Sequence, residues 1–392
     1  MDSPLLHFLF NRALALALDY KGLTSPNPIV GALIVDLETG EILAEGAHKG
    51  AGHPHAEVVA WQSYIEKEKQ AASLSFTSNE NSNSNPNIKK KMSLGLICTL
   101  EPCCHKGGEK RTPPCTDFII NTTQIGKVFV GSLDPNPLVA GKGIESLKKA
   151  GIDVIVADVD IQKKCQEINR AFWVSMQQKR TYLTLKWAQG LDGKLVAADG
   201  KSQWISGELS RTRVKKLRFF HDAIGVGAQT FINDSPQLNY SLPSYLSPKD
   251  SSFNSFNSFN SNNFNSLKSW KKIVFTHQQK QKIEKILCKR EDKESWLIID
   301  SSLPLNFTLE FLWEEYKIQS LFIEGGPRLL SHFFASPELI DEIHCFIAPK
   351  IIGSGEGIFF KNAFAFKDHL SFQKGSFRSL GEDIVFKWKR PL

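Results

Sequence analysis

Three short motifs, far apart in the chain, carry metal-binding side chains, and a fold for this sequence has to account for all three. His55-Ala56-Glu57 opens a stretch of helical periodicity. Glu101-Pro102-Cys103 follows the apolar run Leu94 to Leu100, a buried strand, and Thr112-Pro113-Pro114-Cys115 precedes a second helix. One imidazole and two thiolates, His55, Cys103 and Cys115, make a three-ligand zinc set that leaves a fourth position for water, as a catalytic site requires. Zinc brings the pKa of such a water toward neutrality. Glu57, two residues from the histidine, is placed to move protons without binding the metal, the pattern of zinc deaminases. The competing reading is a closed structural site completed by Cys104 or His105. Adjacent cysteines rarely point at one metal from a regular backbone, which counts against it. Cys98 sits inside the strand run and reads as core.

Around these motifs, strand and helix signals alternate. His7 to Leu18 is an amphipathic helix, broken by Thr24 to Pro28. Ile29 to Asp36 and Glu41 to Gly46 are strands joined at Thr39-Gly40, and His55 to Ile65 is a helix. Leu74 to Ser93 is an Asn/Ser-rich surface insertion ending in lysines. A helix near Thr116 to Ile120, a strand over Lys127 to Gly131, the turn Asp134 to Pro137, a helix over Ile144 to Ala150 and a strand over Ile152 to Ala157 follow. This order predicts an α/β layered domain. Ile161 to Gln178 reads as a connecting helix, and a second series of strands starts at Tyr182. A chain of 392 residues accommodates two domains, placed at residues 1–147 and 148–392, with 148–180 as the connecting segment. Within the second, the Phe-Asn-Ser repeat of residues 247–266 fits neither helix nor strand and reads as a low-complexity, disordered loop.

Composition narrows the class. Hydrophobic content of 41% and charged content of 23% are those of a globular protein with sizeable cores. The net charge of +7 fits a phosphorylated small-molecule substrate as well as scattered solvated lysines. Basic stripes with interleaved aromatics are lacking, so no nucleic-acid partner is expected. Seven unevenly spread cysteines do not make a disulfide framework. With no signal-peptide pattern and no uncharged stretch of membrane-spanning length, a cytoplasmic, reducing setting is expected, with no membrane partner.

A larger set of residues carries a resemblance. Pro26-Asn27-Pro28 with Gly31, Gly46-Ala47-His48, the three zinc motifs, and Asp134 to Pro137 with Gly141 resemble the deaminase of the bifunctional riboflavin-biosynthesis deaminase–reductases; cytidine deaminases in general share only the zinc motif. The resemblance implies a cytidine-deaminase-like α/β/α domain with zinc on His55, Cys103 and Cys115, Glu57 as proton shuttle, Asn27 and His48 on the substrate, and Arg111 and Thr112 on its phosphate. A guanidinium fork suits phosphate oxygens. Here the loop between the cysteines, Lys106 to Lys110, carries about three extra residues, an insertion that costs little loop-closure entropy.

The remainder resembles the family's reductase, a dihydrofolate-reductase-like α/β domain that uses NADPH. The matching runs are Leu185-Lys186, Leu191 to Lys194, Gly200 to Ile205, Leu217-Arg218, Asp222 to Ile224, Gly227 to Leu238, Glu324 to Pro327 and Ala348-Pro349. By resemblance Ala188, Trp204, Thr230, Asp234, Gly326, Pro327 and Arg328 line NADPH, while Ser202, Arg218, Leu238 and Glu324 face the substrate. Independently, the strand Leu321 to Glu324, the turn Gly325-Gly326-Pro327 and the helical run Arg328 to Phe334 form a strand–turn–helix unit suited to an anion. No Gly-x-Gly-x-x-Gly follows the first strand of this half, so a Rossmann site is not indicated. Two departures concern this half: Gly190 stands where Ser is usual before Leu-Asp-Gly, and Asn239-Tyr240-Ser241 replaces an expected Arg, a loss of about one to three kcal/mol of phosphate binding.

The expected chemistry is therefore deamination of a phosphoribosylamino-pyrimidine, then reduction of its ribosyl group with NADPH. Three alternatives stand beside it: a deaminase with an impaired reductase half, a nucleic-acid base deaminase, and a non-catalytic zinc-stabilised module. Since family members associate, the resemblance also implies a homo-oligomer.

Overall fold

The computed structural model describes residues 2–77, 93–105, 113–137, 139–200, 205–240, 270–358, 372 and 374–391. The chain divides into two units, residues 1–177 and 178–392. The first contains α1 (Ser3–Leu18), β1 (Gly31–Asp36), β2 (Ile42–Ala47), α2 (Ala56–Thr77), β3 (Leu94–Cys98), α3 (Cys115–Thr122), β4 (Ile125–Val130), α4 (Lys142–Lys149), β5 (Asp153–Val156) and α5 (Val159–Ile168), followed by α6 (Arg170–Gln178). The sheet order is β2-β1-β3-β4-β5. β1 is antiparallel to β2 and β3, while β3, β4 and β5 run parallel.

Side-chain alternation along β1 makes the layers. Ala32 and Ile34 face a core built with Ala56, Ala60 and Trp61 of α2, Ile119 of α3, and Ile144 and Leu147 of α4. Leu33 and Val35 face the opposite way, onto Leu9, Phe10 and Ala13 of α1 and Ile161 and Cys165 of α5. A strand apolar on both faces needs a helix layer on each, and the expected α/β/α architecture follows.

Three boundaries differ from the sequence reading. The helix expected to end at Ile65 continues to Thr77, so the start of the Asn/Ser-rich segment is helical. The single helix expected over Ile161 to Gln178 is two, broken at Asn169. The Asn169 amide accepts from the Ile29 N–H at 2.8 Å and donates to the Ile29 carbonyl at 2.9 Å, a long-range pairing that local periodicity does not register. Third, the expected border at 147/148 falls inside this unit, because β5 pairs with β4 and α5 packs on α1. β5 is a short edge strand with mostly exposed residues, so its sequence carries a weak signal.

The second unit contains β6 (Tyr182–Gln189), β7 (Lys194–Val196), α7 (Glu208–Phe219), β8 (Ala223–Gly227), α8 (Ala228–Asp234), β9 (Lys271–Thr276), α9 (Lys280–Leu287), β10 (Trp296–Asp300), α10 (Leu305–Tyr316), β11 (Ser320–Glu324), α11 (Pro327–Phe333), β12 (Glu342–Ile347), β13 (Glu356–Gly357), β14 (Ser376–Leu380) and β15 (Asp383–Lys389). Eight strands form one sheet in the order β10-β9-β8-β11-β6-β12-β15-β14, parallel from β10 to β12, with β15 antiparallel to β12 and β14 antiparallel to β15. On one face Leu183, Leu185, Leu321 and Ile323 pack with Leu309 and Leu312 of α10 and Leu330 and Phe333 of α11. On the other Ile224, Val226, Val274 and Phe322 pack with Val214 and Leu217 of α7 and Phe231 of α8. β7 and β13 pair separately. Among the described residues no helix is long and apolar enough to cross a membrane.

Candidate active sites

The three side chains of the candidate metal site enter from three different elements. α2 begins directly after His55, and the His55 carbonyl accepts the Val59 N–H at 3.0 Å. Cys103 lies just beyond the carboxyl end of β3, and Cys115 is the first residue of α3. The Cys103 carbonyl accepts from the Thr116 N–H at 3.2 Å, which ties the two cysteine segments together. The ligand atoms of His55, Cys103 and Cys115 all lie within 4.8 Å of one another. His55 Nδ1 is 3.1 Å from Cys115 Sγ and 3.5 Å from Cys103 Sγ, and the Cys115 N–H donates to Cys103 Sγ at 3.4 Å. Among the described residues, neither Cys104 nor His105 joins this group.

The donor chemistry fits a zinc ion. Hydrogen bonding to Cys103, burial and the nearby Glu57 carboxylate push the Cys115 thiol well above its ordinary range. A bound metal deprotonates such thiols, and one imidazole with two sulfurs is a donor set zinc accepts. Glu57 lies in the first turn of α2, is 5% exposed, and burial raises its pKa.

Asn27 and His48 are next to this centre. The His48 and His55 rings meet edge to face, with centroids 5.3 Å apart. Burial lowers the His48 pKa to about 4, so the ring is neutral near pH 7. Its Nδ1 faces the Pro54 carbonyl at 3.2 Å and its Nε2 faces Asn27 Nδ2 at 3.1 Å. A neutral ring satisfies both contacts with the proton on Nδ1 and Nε2 as acceptor. Arg111 and Thr112 lie outside the described residues, as does the Lys106 to Lys110 insertion.

Beyond its place in the Glu-Pro-Cys motif Glu101 carries no local signal, and its work is visible only in three dimensions. Its carboxylate is buried and accepts from the N–H groups of Gly141 (2.9 Å), Gly143 (2.9 Å), Asp134 (3.2 Å) and Ile144 (3.2 Å). It thereby fastens the 134–144 segment behind Cys103. No local pattern in the sequence announces four backbone donors converging on one side chain.

In the second unit, Ala188, Arg218, Thr230, Asp234, Leu238, Glu324, Gly326, Pro327 and Arg328 all line one cleft of about 1120 Å³. The cleft opens at the carboxyl ends of parallel strands, with Lys186 to Ala188 of β6, Val226 and Gly227 of β8, Phe275 and Thr276 of β9 and Glu324 of β11 in its wall. That is where open α/β sheets bind ligands. Ser202, Trp204, Ser241 and residues 247–266 lie outside the described residues.

Lys186 belongs to the cleft's charge cluster. Arg218 Nε donates to Glu324 Oε1, Arg218 Nη2 donates to Oε2 at 2.9 Å, and Lys186 Nζ lies 3.8 Å from Oε2. Burial opposes ionisation of Glu324, but Arg218, Lys186 and His221 outweigh it and hold the carboxyl below its ordinary value. Burial lowers the Lys186 pKa against the pull of Glu324.

A His/Cys/Cys set beside a buried carboxylate in an α/β/α layer is the site of a zinc deaminase, and the second unit carries a ligand cleft at the ends of its parallel strands. Residues 6–132 match the cytidine and deoxycytidylate deaminase zinc-binding region, and residues 181–386 match the RibD C-terminal domain. The riboflavin biosynthesis protein RibD of Aquifex aeolicus is 38% identical over 381 residues, 96% of each chain, and that of Escherichia coli 32% identical over 353 residues, 88% of this chain and 87% of the other. Among solved structures, Acinetobacter baumannii RibD (form 2) superposes with a TM-score of 0.77 at 27% identity, covering 98% of this chain and 99% of that one. A Thermotoga maritima diaminohydroxyphosphoribosylaminopyrimidine deaminase/5-amino-6-(5-phosphoribosylamino)uracil reductase does so with 0.73 at 29%, covering 99% of each. The chain belongs to the RibD family, the bifunctional deaminase–reductases of riboflavin biosynthesis. Zinc and NADPH are the cofactors of its two activities.

Proposed function

We propose that the two sites divide the work as follows. In the first unit His55, Cys103 and Cys115 hold zinc, and the observation that carries the assignment is their convergence within 4.8 Å beside buried Glu57. When bound, zinc supplies an open position and a water acidic enough to act as nucleophile near neutral pH. Glu57 takes a proton from the attacking water and delivers it to the ring nitrogen, then takes the proton of the newly bonded hydroxyl and delivers it to the amine, which leaves as ammonia; its raised pKa suits a group that must both accept and donate. Asn27 and neutral His48 orient the pyrimidine, and Arg111 and Thr112 bind its phosphate.

In the second unit the cleft aligns the pyrimidine's ribosyl carbon with the nicotinamide, and no protein nucleophile is needed. NADPH supplies the hydride when bound. Ala188, Trp204, Thr230, Asp234, Gly326, Pro327 and Arg328 line the cofactor, while Ser202, Arg218, Leu238 and Glu324 face the substrate, with Lys186 in the same charge cluster. The substrates are 2,5-diamino-6-(5-phosphoribosylamino)pyrimidin-4(3H)-one and its deaminated product, which is reduced to the ribitylamino-uracil phosphate.

The deciding experiment couples the purified chain to a GTP cyclohydrolase that supplies the pyrimidine, and follows ammonia release and NADPH oxidation together. Both signals, each dependent on substrate, are expected. Ammonia without NADPH consumption would refute the reductase assignment, and neither signal from zinc-loaded protein would refute both. The proposal extends to a homo-oligomer in the cytoplasm with no nucleic-acid or membrane partner. Sedimentation checks the first point, and a gel shift with tight, salt-dependent RNA binding would refute the absence of a nucleic-acid partner.

A further inference from the structure

One wall of the second unit's cleft contains none of the residues assigned above. It consists of Leu195, Val196 and Ala197 on and after β7, and Ser354, Gly355 and Glu356 leading into β13. Strands this short do not hold together by themselves, and the pairing runs only from Val196 with Glu356 to Lys194 with Gly357. Asp192 joins the two segments. Its Oδ2 accepts the N–H groups of Ile352 at 2.9 Å and Gly353 at 2.7 Å, and its Oδ1 accepts that of Lys194 at 3.5 Å. The backbone closes around it, with the Gly190 N–H on the Lys194 carbonyl at 2.9 Å and the Leu191 N–H on the Lys350 carbonyl at 2.8 Å.

A side chain would crowd this contact at two places. A Cβ on Gly190 would stand 2.6 Å from Asp192 Oδ1 and 2.7 Å from the Lys350 carbonyl oxygen; on Gly355 it would stand 1.7 Å from the Val196 carbonyl oxygen. Gly190, a departure from the usual serine, thus has a physical reason in this chain. Asp192 is tied to backbone N–H groups on two segments and is not part of the cleft lining.

We propose that Asp192 is a positioning residue of the reductase: it locks residues 190–197 and 350–357 into one preformed wall against which the dinucleotide binds, and Gly190 allows the lock to close. A wall held in its binding conformation spares the ordering cost that a loose loop pays when the ligand arrives. The inference rests on reading the cleft as the NADPH site, so cofactor binding is measured directly as well as turnover.

The test uses the full chain and compares Asp192→Ala, Asp192→Asn and Gly190→Ala with wild type. NADPH affinity is read by fluorescence titration, reductase KM and kcat by NADPH oxidation, and deamination in the same samples. Asp192→Ala is expected to weaken NADPH binding and raise its KM about tenfold or more, with kcat changed by less than about threefold. Asp192→Asn keeps an acceptor oxygen on a side chain of the same size and should recover part of the loss. Gly190→Ala, which keeps the carboxylate but obstructs the lock, should repeat the effect of Asp192→Ala, and it carries the test alone if Asp192→Ala does not fold. Unchanged KM, a fall in kcat alone, or an Asp192→Asn variant as impaired as Asp192→Ala would overturn the proposal. Wild-type protein that does not bind NADPH would overturn the cofactor reading itself, and this inference with it.

Discussion

Among individual residues, Glu57 carries the most specific expectation. Replacing it by Gln keeps the shape and the neighbouring ligands but removes the base. Deamination should fall by about two to four orders of magnitude, while zinc content, measured on the purified variant, stays at the wild-type level. Near-normal turnover would remove Glu57 from the mechanism. Cys115→Ser should instead lose both metal and deamination, because an alcohol does not replace a thiolate as a zinc ligand at neutral pH; metal analysis separates the two variants. His55, Glu57, Cys103 and Cys115 could be singled out in the sequence because zinc chemistry restricts which side chains can serve, and the fold brings the ligand atoms of His55, Cys103 and Cys115 together. Glu101 and Lys186 were not legible in the same way. Glu101 owes its role to four backbone N–H groups from residues 134–144, and Lys186 to its distance from a carboxylate on β11. Neither relation has a counterpart in spacing along the chain.

The elements matter through how closely they pack. A Cβ on Gly46 in β2 would lie 2.3 Å from the Ala60 nitrogen and 2.5 Å from the Ala56 carbonyl oxygen, both backbone atoms of α2. Gly46→Ala should therefore push α2 off the sheet, costing about 1–3 kcal/mol of stability. It should also lower deamination, since α2 starts beside His55 and carries Glu57; thermal melts and the ammonia assay check this, and reductase turnover is the control. In the second unit Asp292 accepts from Lys272 Nζ at 2.6 Å, Arg290 Nε at 2.8 Å and Trp296 Nε1 at 3.1 Å. Hydrogen bonding from Arg290, aided by Lys272 and Trp296, holds its carboxyl far below the ordinary range. A depressed folded-state pKa contributes stability above the unfolded pKa, near ~3.9, and loses it as pH falls toward the folded value. Asp292→Asn should thus be less stable than wild type at pH 7, and the two denaturation curves should converge as the pH is lowered below about 4. A constant difference across that range would contradict the assignment. The strands and most helices of the first unit, and β11 and α11 of the second, were readable from the sequence. The break at Asn169 and the length of α2 were not, because one depends on pairing with Ile29 and the other runs into a polar sequence with little periodic signal.

For the molecule as a whole, two units with separate cores predict separable activities. Glu324→Gln leaves Arg218 and Lys186 without their shared carboxylate. Breaking a buried pair of this kind is costly, and the reductase kcat/KM should drop at least about tenfold, while ammonia release continues at the wild-type rate. Glu57→Gln should show the reverse when supplied with the deaminated intermediate. A loss of both activities in either variant would mean that the units do not act independently. The sequence by itself determined the chemistry on offer: which residues can ligate zinc, which carboxylate can shuttle protons, and that strands and helices alternate in a layered α/β domain. Only the tertiary structure decided where the first unit ends, why Gly190 is glycine, and which side chains share a cleft. Those outcomes depend on distances between segments remote along the chain, such as Asp192 and Gly353 or Glu101 and Gly141. Composition and periodicity describe neighbours in sequence, whereas these contacts exist only once the sheets have set their strand order.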